Sequence, residues 1–241
     1  MNELLGGRQV QRHAPIREQV ASIIRDAIVE MRLEPGQVLV ERELCEMTQA
    51  SRPSVREALR QLAAEGLVES HNGKGTVVAE ATPELAEHVY QVRAELEGLA
   101  AELFARDAAD EQVREFAEVV AELRVISETD SPTIVNDMLA AKNRAYDILF
   151  EGAGNPILTQ MIGILHRRVT QLRALTLAQP GRPAQTVREI EDIVDAIERR
   201  DTEAARRYAT SHVHQAARTV LGALGHSSSR PIFGADPTPK A

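Results

Sequence analysis

Residues 51–67 read SRPSVREALRQLAAEGL. Ser51 suits a helix N-cap, and Pro53 falls in the first turn, where its missing N–H leaves nothing unpaired. Val55, Leu59 and Leu62 share one face, and Gly66 fits a helix stop. The other side carries Arg52, Arg56 and Arg60 at intervals of four, which places them along one line. The stretch predicts a short amphipathic helix with a cationic outer edge. The chain around it is acidic, with a formal net charge of −8. Residues 1–80 hold 10 Lys and Arg against 12 Asp and Glu, and residues 81–241 hold 18 against 24. Neither part is basic, so the three arginines make one edge cationic and not a whole domain.

Working outward, ERELCEMT (41–48) reads as a second short helix, with Leu44 and either Met47 or Thr48 inward. LEPG (33–36) is a turn that stops an earlier helix whose stripe is Ile16, Val20, Ile23, Ala27, Ile28 and Met31. On the other side, LVES and TVVA flank HNGKG within residues 67–80. Asn-Gly between two β-rich runs is a strong hairpin signal. Helix, short helix, helix and two-stranded hairpin describe a winged helix-turn-helix over residues 13–80, with 1–12 expected to be disordered. The second helix of such a pair enters the DNA major groove by its N-terminal residues. Arg52 or Arg56 there suits the O6 and N7 acceptors of guanine. Ser51 and Ser54 suit phosphate, with the helix N-terminus assisting. Lys74 stands at the wing tip, within reach of the minor groove or a phosphate. The competing reading is a solvated helix face. Arg60, one turn on, suits a phosphate contact or an ion pair with Glu57 or Glu65.

After residue 83 the pattern is helical to about 224. Leu85, Val89, Val92, Leu96, Leu99 and Leu103 predict one long helix burying a narrow stripe. Five more follow: Val113–Ser127, Ile134–Glu151, Ile157–Leu177, Thr186–Arg199 and Thr202–Leu224, joined by short turn-rich segments. The fold class is mainly α: a winged helix-turn-helix, then an antiparallel helical bundle over residues 83–224. The Ser/Pro/Gly-rich stretch 225–241 is expected to be disordered.

Composition narrows the function. Hydrophobic residues at 43% and charged residues at 27% support a packed core. Aromatics at 3% argue against single-stranded nucleic acid, whose binding relies on stacked rings. The single cysteine, Cys45, fits a reducing compartment and reads as a small core residue. No apolar run approaches the ~18 residues of a membrane span, and no charged-then-apolar leader opens the chain, so a cytoplasmic protein without a membrane partner is expected. An enzyme built on the bundle would need paired carboxylates or Glu-x-x-His on facing helices, and that pattern is absent. NGKGT lacks the spacing of a phosphate-binding loop.

The stretch LEPGQVLVERELCEMTQASRPSVREALRQLAAEGLVESHNGKGTVV resembles the DNA-binding domain of GntR-type bacterial transcription regulators, almost without gaps. HVYQVRAELEGLAAELFA, YDILFEGAGNPIL and AIERRDTEAARRYATSH resemble the effector domain of the FadR subfamily in its FCD form. The resemblance covers roughly residues 15–215. It implies a dimeric regulator on palindromic double-stranded operator DNA, more often a repressor, with Arg42, Arg52 and Arg56 on DNA and Ser51, Ser54 and Gly73 assisting. One departure is Gln49, where the family usually carries Gly in a left-handed turn; the cost is about 1 kcal/mol.

Many members of the subfamily hold a metal through one Asp and three His. Counting from Asn155 and Asp201, these places fall here on Lys142, Tyr146, Ile190 and His212. One imidazole does not hold a divalent ion, and a lysine opposes it, so neither metal nor cofactor is expected. His166, His214 and His226 do not supply a cluster; His212 and His214, two apart on a helix, point in different directions. Lys142 on an apolar face then has two readings: a structural salt bridge, or, with Arg93, Tyr146 and His212, the lining of a cavity for an anionic effector. Metal-free relatives include an acyl-CoA-responsive type, so the resemblance also implies a lipid-like acid as a candidate.

Overall fold

The computed structural model describes residues 15–29, 32–71, 75–80 and 82–225. Gly73, Lys74, Met31 and the stretches expected to be disordered (1–12, and 225–241 apart from Gly225) lie outside the described residues. Two compact units divide at Ala79/Glu80.

The first unit contains α1 (Ile16–Val29), β1 (Val38–Leu39), α2 (Glu41–Thr48), α3 (Arg52–Ala64), β2 (Val68–His71) and β3 (Gly75–Val78). Its core packs Val20, Ala21, Ile24 and Ile28 of α1 against Val55, Leu59 and Leu62 of α3, with Leu44 of α2 completing it. The inward stripe of α1 is rotated from the sequence reading: Ile16 and Ile23 are exposed, and Ala21 and Ile24 are buried. On α2, Leu44 is buried and Met47 is exposed. Arg25 donates from Nε and Nη2 to both oxygens of Glu65, at 2.9 and 2.8 Å, which clamps α1 to the end of α3. Glu65 is thereby taken, and Arg60 pairs instead with Glu57.

The expected hairpin is a three-stranded antiparallel sheet in the order β1-β3-β2. Val38 and Leu39 pair with Val77 and Thr76. A strand of two residues shows no alternation, so period-based reading missed it.

Gln49 sits at φ 52°, ψ 29°, the left-handed turn between α2 and α3. A Cβ is disfavoured there. Its Nε2 donates to the Glu46 carbonyl at 2.7 Å on the protein surface, where water replaces such a bond at little cost. Gln49→Gly is expected to stabilise this unit by about 1 kcal/mol, raising its melting temperature by several degrees. Differential scanning calorimetry checks this; an unchanged or lower transition would show that the side-chain bond outweighs the backbone strain.

The second unit holds six helices: α4 (Pro83–Asp107), α5 (Asp110–Ser127), α6 (Ile134–Gly152), α7 (Pro156–Leu177), α8 (Arg182–Glu198) and α9 (Thr202–Ala223). Thr82, Asn155 and Asp201 cap α4, α7 and α9 by accepting from Leu85, Leu158 and Ala204 N–H. α8 begins a turn earlier than the sequence suggests, because Pro183 lies inside its first turn and not in the loop.

Of the stripe expected to be the buried face of α4, Val89 is buried, but the rest lies at the edge: Val92 is 47% exposed, and Leu85, Leu96, Leu99 and Leu103 are half-buried. The buried face carries Ala86, Tyr90, Arg93, Ala94, Glu97, Gly98, Ala101, Phe104 and Ala105. Small residues let α4 and α9 approach closely, and a Cβ on Gly98 would overlap Thr210 Oγ1. Large leucines dominate a periodicity count, but the closer seam is built from alanine and glycine. Among the described residues, no helix is long and apolar enough to cross a membrane.

Candidate functional site

In the first unit, the N-terminus of α3 is built as a presenting edge. Ser51 has extended backbone (φ −70°, ψ 152°) and its Oγ accepts from Ser54 N–H at 3.4 Å. The two hydroxyls lie 2.9 Å apart. Arg52, Arg56 and Arg60 are all exposed. Arg56 is held by α2: its Nε donates to both oxygens of Glu41, at 2.8 and 3.0 Å. That hydrogen bond lowers the Glu41 pKa, with the Arg56 and Arg52 charges adding to it. Arg42 donates to Glu46 at 3.0 Å along α2. Arg52 makes no hydrogen bond or ion pair among the described residues, so its guanidinium is available. Between α3 and the sheet, Glu41, Arg56, Leu59, Arg60, Ala63, Ser70 and Thr76 line an open concavity of about 240 Å³. A rigid helix end offering a free guanidinium and small hydroxyls, beside a concave wall, suits a phosphate-lined groove.

In the second unit, the four positions reached by counting from Asn155 and Asp201 come together. Lys142 and Tyr146 of α6, Ile190 of α8 and His212 of α9 all line one cavity of about 20 Å³, with Glu97, Phe116, Leu149 and Ile193. A second cavity of about 10 Å³ adjoins it. It shares Lys142 and His212 and is lined otherwise by Tyr90, Arg93, Arg173, Thr176, Arg182 and Thr186. Arg93, the remaining candidate from the sequence, therefore faces the second space.

The polar groups of this core form two hydrogen-bonded chains. In one, Arg93 Nε donates to Glu97 Oε1 at 2.7 Å, and His166 Nε2 lies 3.2 Å from the same oxygen. Burial opposes the charge on both partners, but each holds the other: Arg93 is raised and Glu97 is well below the usual carboxylate range. Burial lowers His166 to about 4, so its neutral ring donates the N–H. In the other chain, Arg182 donates through Nη1 and Nη2 to Glu189 at 2.6 and 2.8 Å. Glu189 Oε2 lies 2.6 Å from His212 Nδ1, and His212 Nε2 lies 3.3 Å from Lys142 Nζ. Burial opposes charge on Glu189, yet His212 and Arg182 hold it at about 2. Burial and then Lys142 lower His212 to about 4. These partners assign the neutral tautomer with the proton on Nδ1. Burial, with Arg173, Arg182 and Arg93 adding to it, holds Lys142 well below its ordinary pKa.

This donor set does not fit a divalent cation. The Nε2 lone pair of His212 faces Lys142, and three arginines surround the space. Among the described residues, no three His, Cys, Asp or Glu side chains are grouped to hold a metal. Among the described residues Lys142 has no direct carboxylate partner, which departs from the simple salt-bridge reading; its neighbour is an imidazole. Sequence reasoning missed Arg173, Arg182, Thr186, Glu97 and Glu189, and left His166 without a role. Arg173 follows Val169 and Leu172 on the apolar face of α7, so the argument applied to Lys142 would have found it.

A family model described as the FCD domain matches residues 88–215, and one described as bacterial regulatory proteins, gntR family, matches residues 16–78. The chain is 24% identical over 206 residues to the HTH-type transcriptional repressor RspR of Escherichia coli strain K12, covering 86% of this chain and 89% of that one. It is 28% identical over 257 aligned positions to the HTH-type transcriptional repressor NanR of Salmonella newport, covering 93% and 94%. Among solved structures it is similar to E. coli McbR/YncC, with a TM-score of 0.74 at 20% identity over 87% of this chain and 99% of that one. A GntR-type regulator from Rhodococcus sp. RHA1 gives a TM-score of 0.69 at 21% identity, covering 86% and 97%.

Proposed function

Because the chain belongs to the GntR family of ligand-responsive DNA-binding regulators with an FCD effector domain, a class that is not enzymatic, we propose that it is a repressor. As a homodimer it binds a palindromic operator and responds to a small anionic effector in its helical unit. The observation that carries the reading is the Ser51-capped start of α3, which leaves Arg52 exposed and, among the described residues, unpaired beside Glu41-tethered Arg56. Arg52 reads a guanine, and Arg56 and Arg42 contact the same groove. Ser51 and Ser54 meet phosphate, and Gly73 and Lys74 act from the wing. A homodimer repeats this edge about one helical turn apart along the duplex. A dimer seated on a promoter blocks polymerase, which gives repression its sense.

In the helical unit, Arg93, Lys142, Tyr146 and His212 belong to the lining of the effector site. A compact anion suits it better than a lipid-like acid. The cavities of about 20 and 10 Å³ each hold about one water-sized group. An acyl chain would require the helices to part much further. Effector binding acts by favouring one arrangement of the helices over another, and the DNA-binding units follow it.

Selection from a random duplex library with the full-length protein tests the function. Enrichment of an inverted repeat, with one dimer per duplex by native mass spectrometry, is the expected result. No enrichment over a library lacking protein would overturn the DNA-binding reading.

A further inference from the structure

The sequence points to the Lys142/Tyr146/His212 side of the core, but the structure offers a different seat for an anion. Arg173 of α7 is 4% exposed. Its Nη1 donates to Asn143 Oδ1 at 2.9 Å, and one face of its guanidinium lies 5.0 Å from the Tyr146 ring centre. Its Nε and Nη2 are buried and have no hydrogen-bond partner among the described residues. These two N–H groups form the side edge of guanidinium that takes both oxygens of a carboxylate. The same small cavity is lined by other groups in that condition: Arg93 Nη1, Arg182 Nε, the Thr186 hydroxyl and the Tyr90 hydroxyl are also buried without partners. Five residues on three helices thus line one space, each with at least one buried donor unmatched among the described residues. Folded proteins leave few buried polar groups unmatched, and such a concentration marks a site for something else.

The charge count agrees. In the core around this space, Arg93, Arg173 and Arg182 face the carboxylates Glu97 and Glu189, while His166 and His212 are neutral. Three buried positive charges meet two negative ones, before Lys142 and the solvent-exposed Asp147 that acts on Arg173 are counted. Lys142 is itself disfavoured as a cation there. One negative charge balances the site with Lys142 neutral; a dianion would need Lys142 to take up a proton. Next door, Phe116, Ala145, Leu149, Ile190 and Ile193 make the adjoining cavity apolar.

We infer that the effector is a compact monocarboxylate, its carboxylate seated on the Nε–Nη2 edge of Arg173 with Arg93, Arg182, Thr186 and Tyr90 around it, and its short apolar remainder directed past Lys142 and His212 into the apolar cavity. This rests on the helical unit being the effector site, and it places the charged group one compartment away from the positions that hold metal in relatives.

The test uses full-length protein with EDTA, titrated with potassium acetate, butyrate and succinate against potassium chloride at matched ionic strength. Melting and calorimetry are read together. Butyrate is expected to raise the melting temperature saturably, acetate less so, and succinate weakly. Arg173→Met removes a buried cation that makes no ion pair among the described residues, so its ligand-free melting point is expected to rise while its butyrate affinity falls at least about tenfold. Thr186→Val is a second variant that keeps shape while removing only a hydroxyl; a fall in butyrate affinity of roughly threefold or more is expected. The inference is overturned if no monocarboxylate stabilises the wild type, if succinate binds best, if both variants bind butyrate as the wild type does, or if Arg173→Met melts lower. Operator binding is measured separately. Loss of the carboxylate response with operator binding intact refutes only this inference, and absence of operator binding refutes the functional reading.

Discussion

Arg52→Ala is expected to cost the dimer its operator, with circular dichroism and melting temperature unchanged. Arg52 stands at the first turn of α3, exposed and without a partner among the described residues, so removing it leaves none of their buried groups unsatisfied. A bidentate arginine–guanine pair contributes about 1–3 kcal/mol of discrimination, and a symmetric dimer makes it twice. The expected loss is then about 2–6 kcal/mol, from roughly 30-fold upward in affinity. Non-specific binding should fall far less, because the phosphate contacts remain. Fluorescence anisotropy at fixed salt, with specific and scrambled duplexes, separates the two effects. Arg124→Ala in the other unit is the control, since Arg124 pairs on the surface with Glu191. Equal specific affinity for Arg52→Ala and wild type would remove Arg52 from base recognition.

The second large effect is on stability. Glu97→Gln keeps the shape of a side chain that is 2% exposed but removes the charge facing Arg93. Arg93 does not shed its proton, so it would remain as a buried cation among Arg173 and Arg182. Breaking one partner of a buried pair costs about 3–5 kcal/mol, a large share of a domain's stability. The urea midpoint of the helical unit should fall accordingly. The double change Arg93→Met with Glu97→Leu should recover most of the loss, since no charge is then left unpaired. A single variant within about 1 kcal/mol of wild type would mean the pair contributes little more than its shape.

These predictions come from parts of the molecule that the sequence showed unequally. The recognition helix was readable because Ser51, Pro53 and Gly66 are local signals, whose effect needs no distant contact. The convergence of Lys142, Tyr146, Ile190 and His212 came from the family resemblance, which supplied the positions to count to, and not from any local signal. Asn155 and Asp201, the N-caps of α7 and α9, served as the landmarks, and only His212 lies on a helix that one of them caps. The buried face of α4 was not readable in this way. Hydrophobic periodicity weighs Leu96 and Leu99, while close packing selects Ala94 and Gly98, which carry little hydrophobic signal. Arg173 and Arg182 were missed because arginine normally marks a solvent face. Arg173 does follow Val169 and Leu172 on an apolar face, but the partners that make its burial and that of Arg182 meaningful come from other helices, which no local pattern contains.

The size of the two core cavities also governs timing. Spaces of about 20 and 10 Å³ admit no organic acid until helices separate. Entry is therefore limited by how often the bundle opens, not by how often a ligand collides with it. At high concentration the observed association rate should reach a plateau equal to that opening rate, well below diffusion control. Release waits on the same motion. A bound effector would thus persist through brief dips in its supply, and the regulator would report an average over time instead of an instantaneous level.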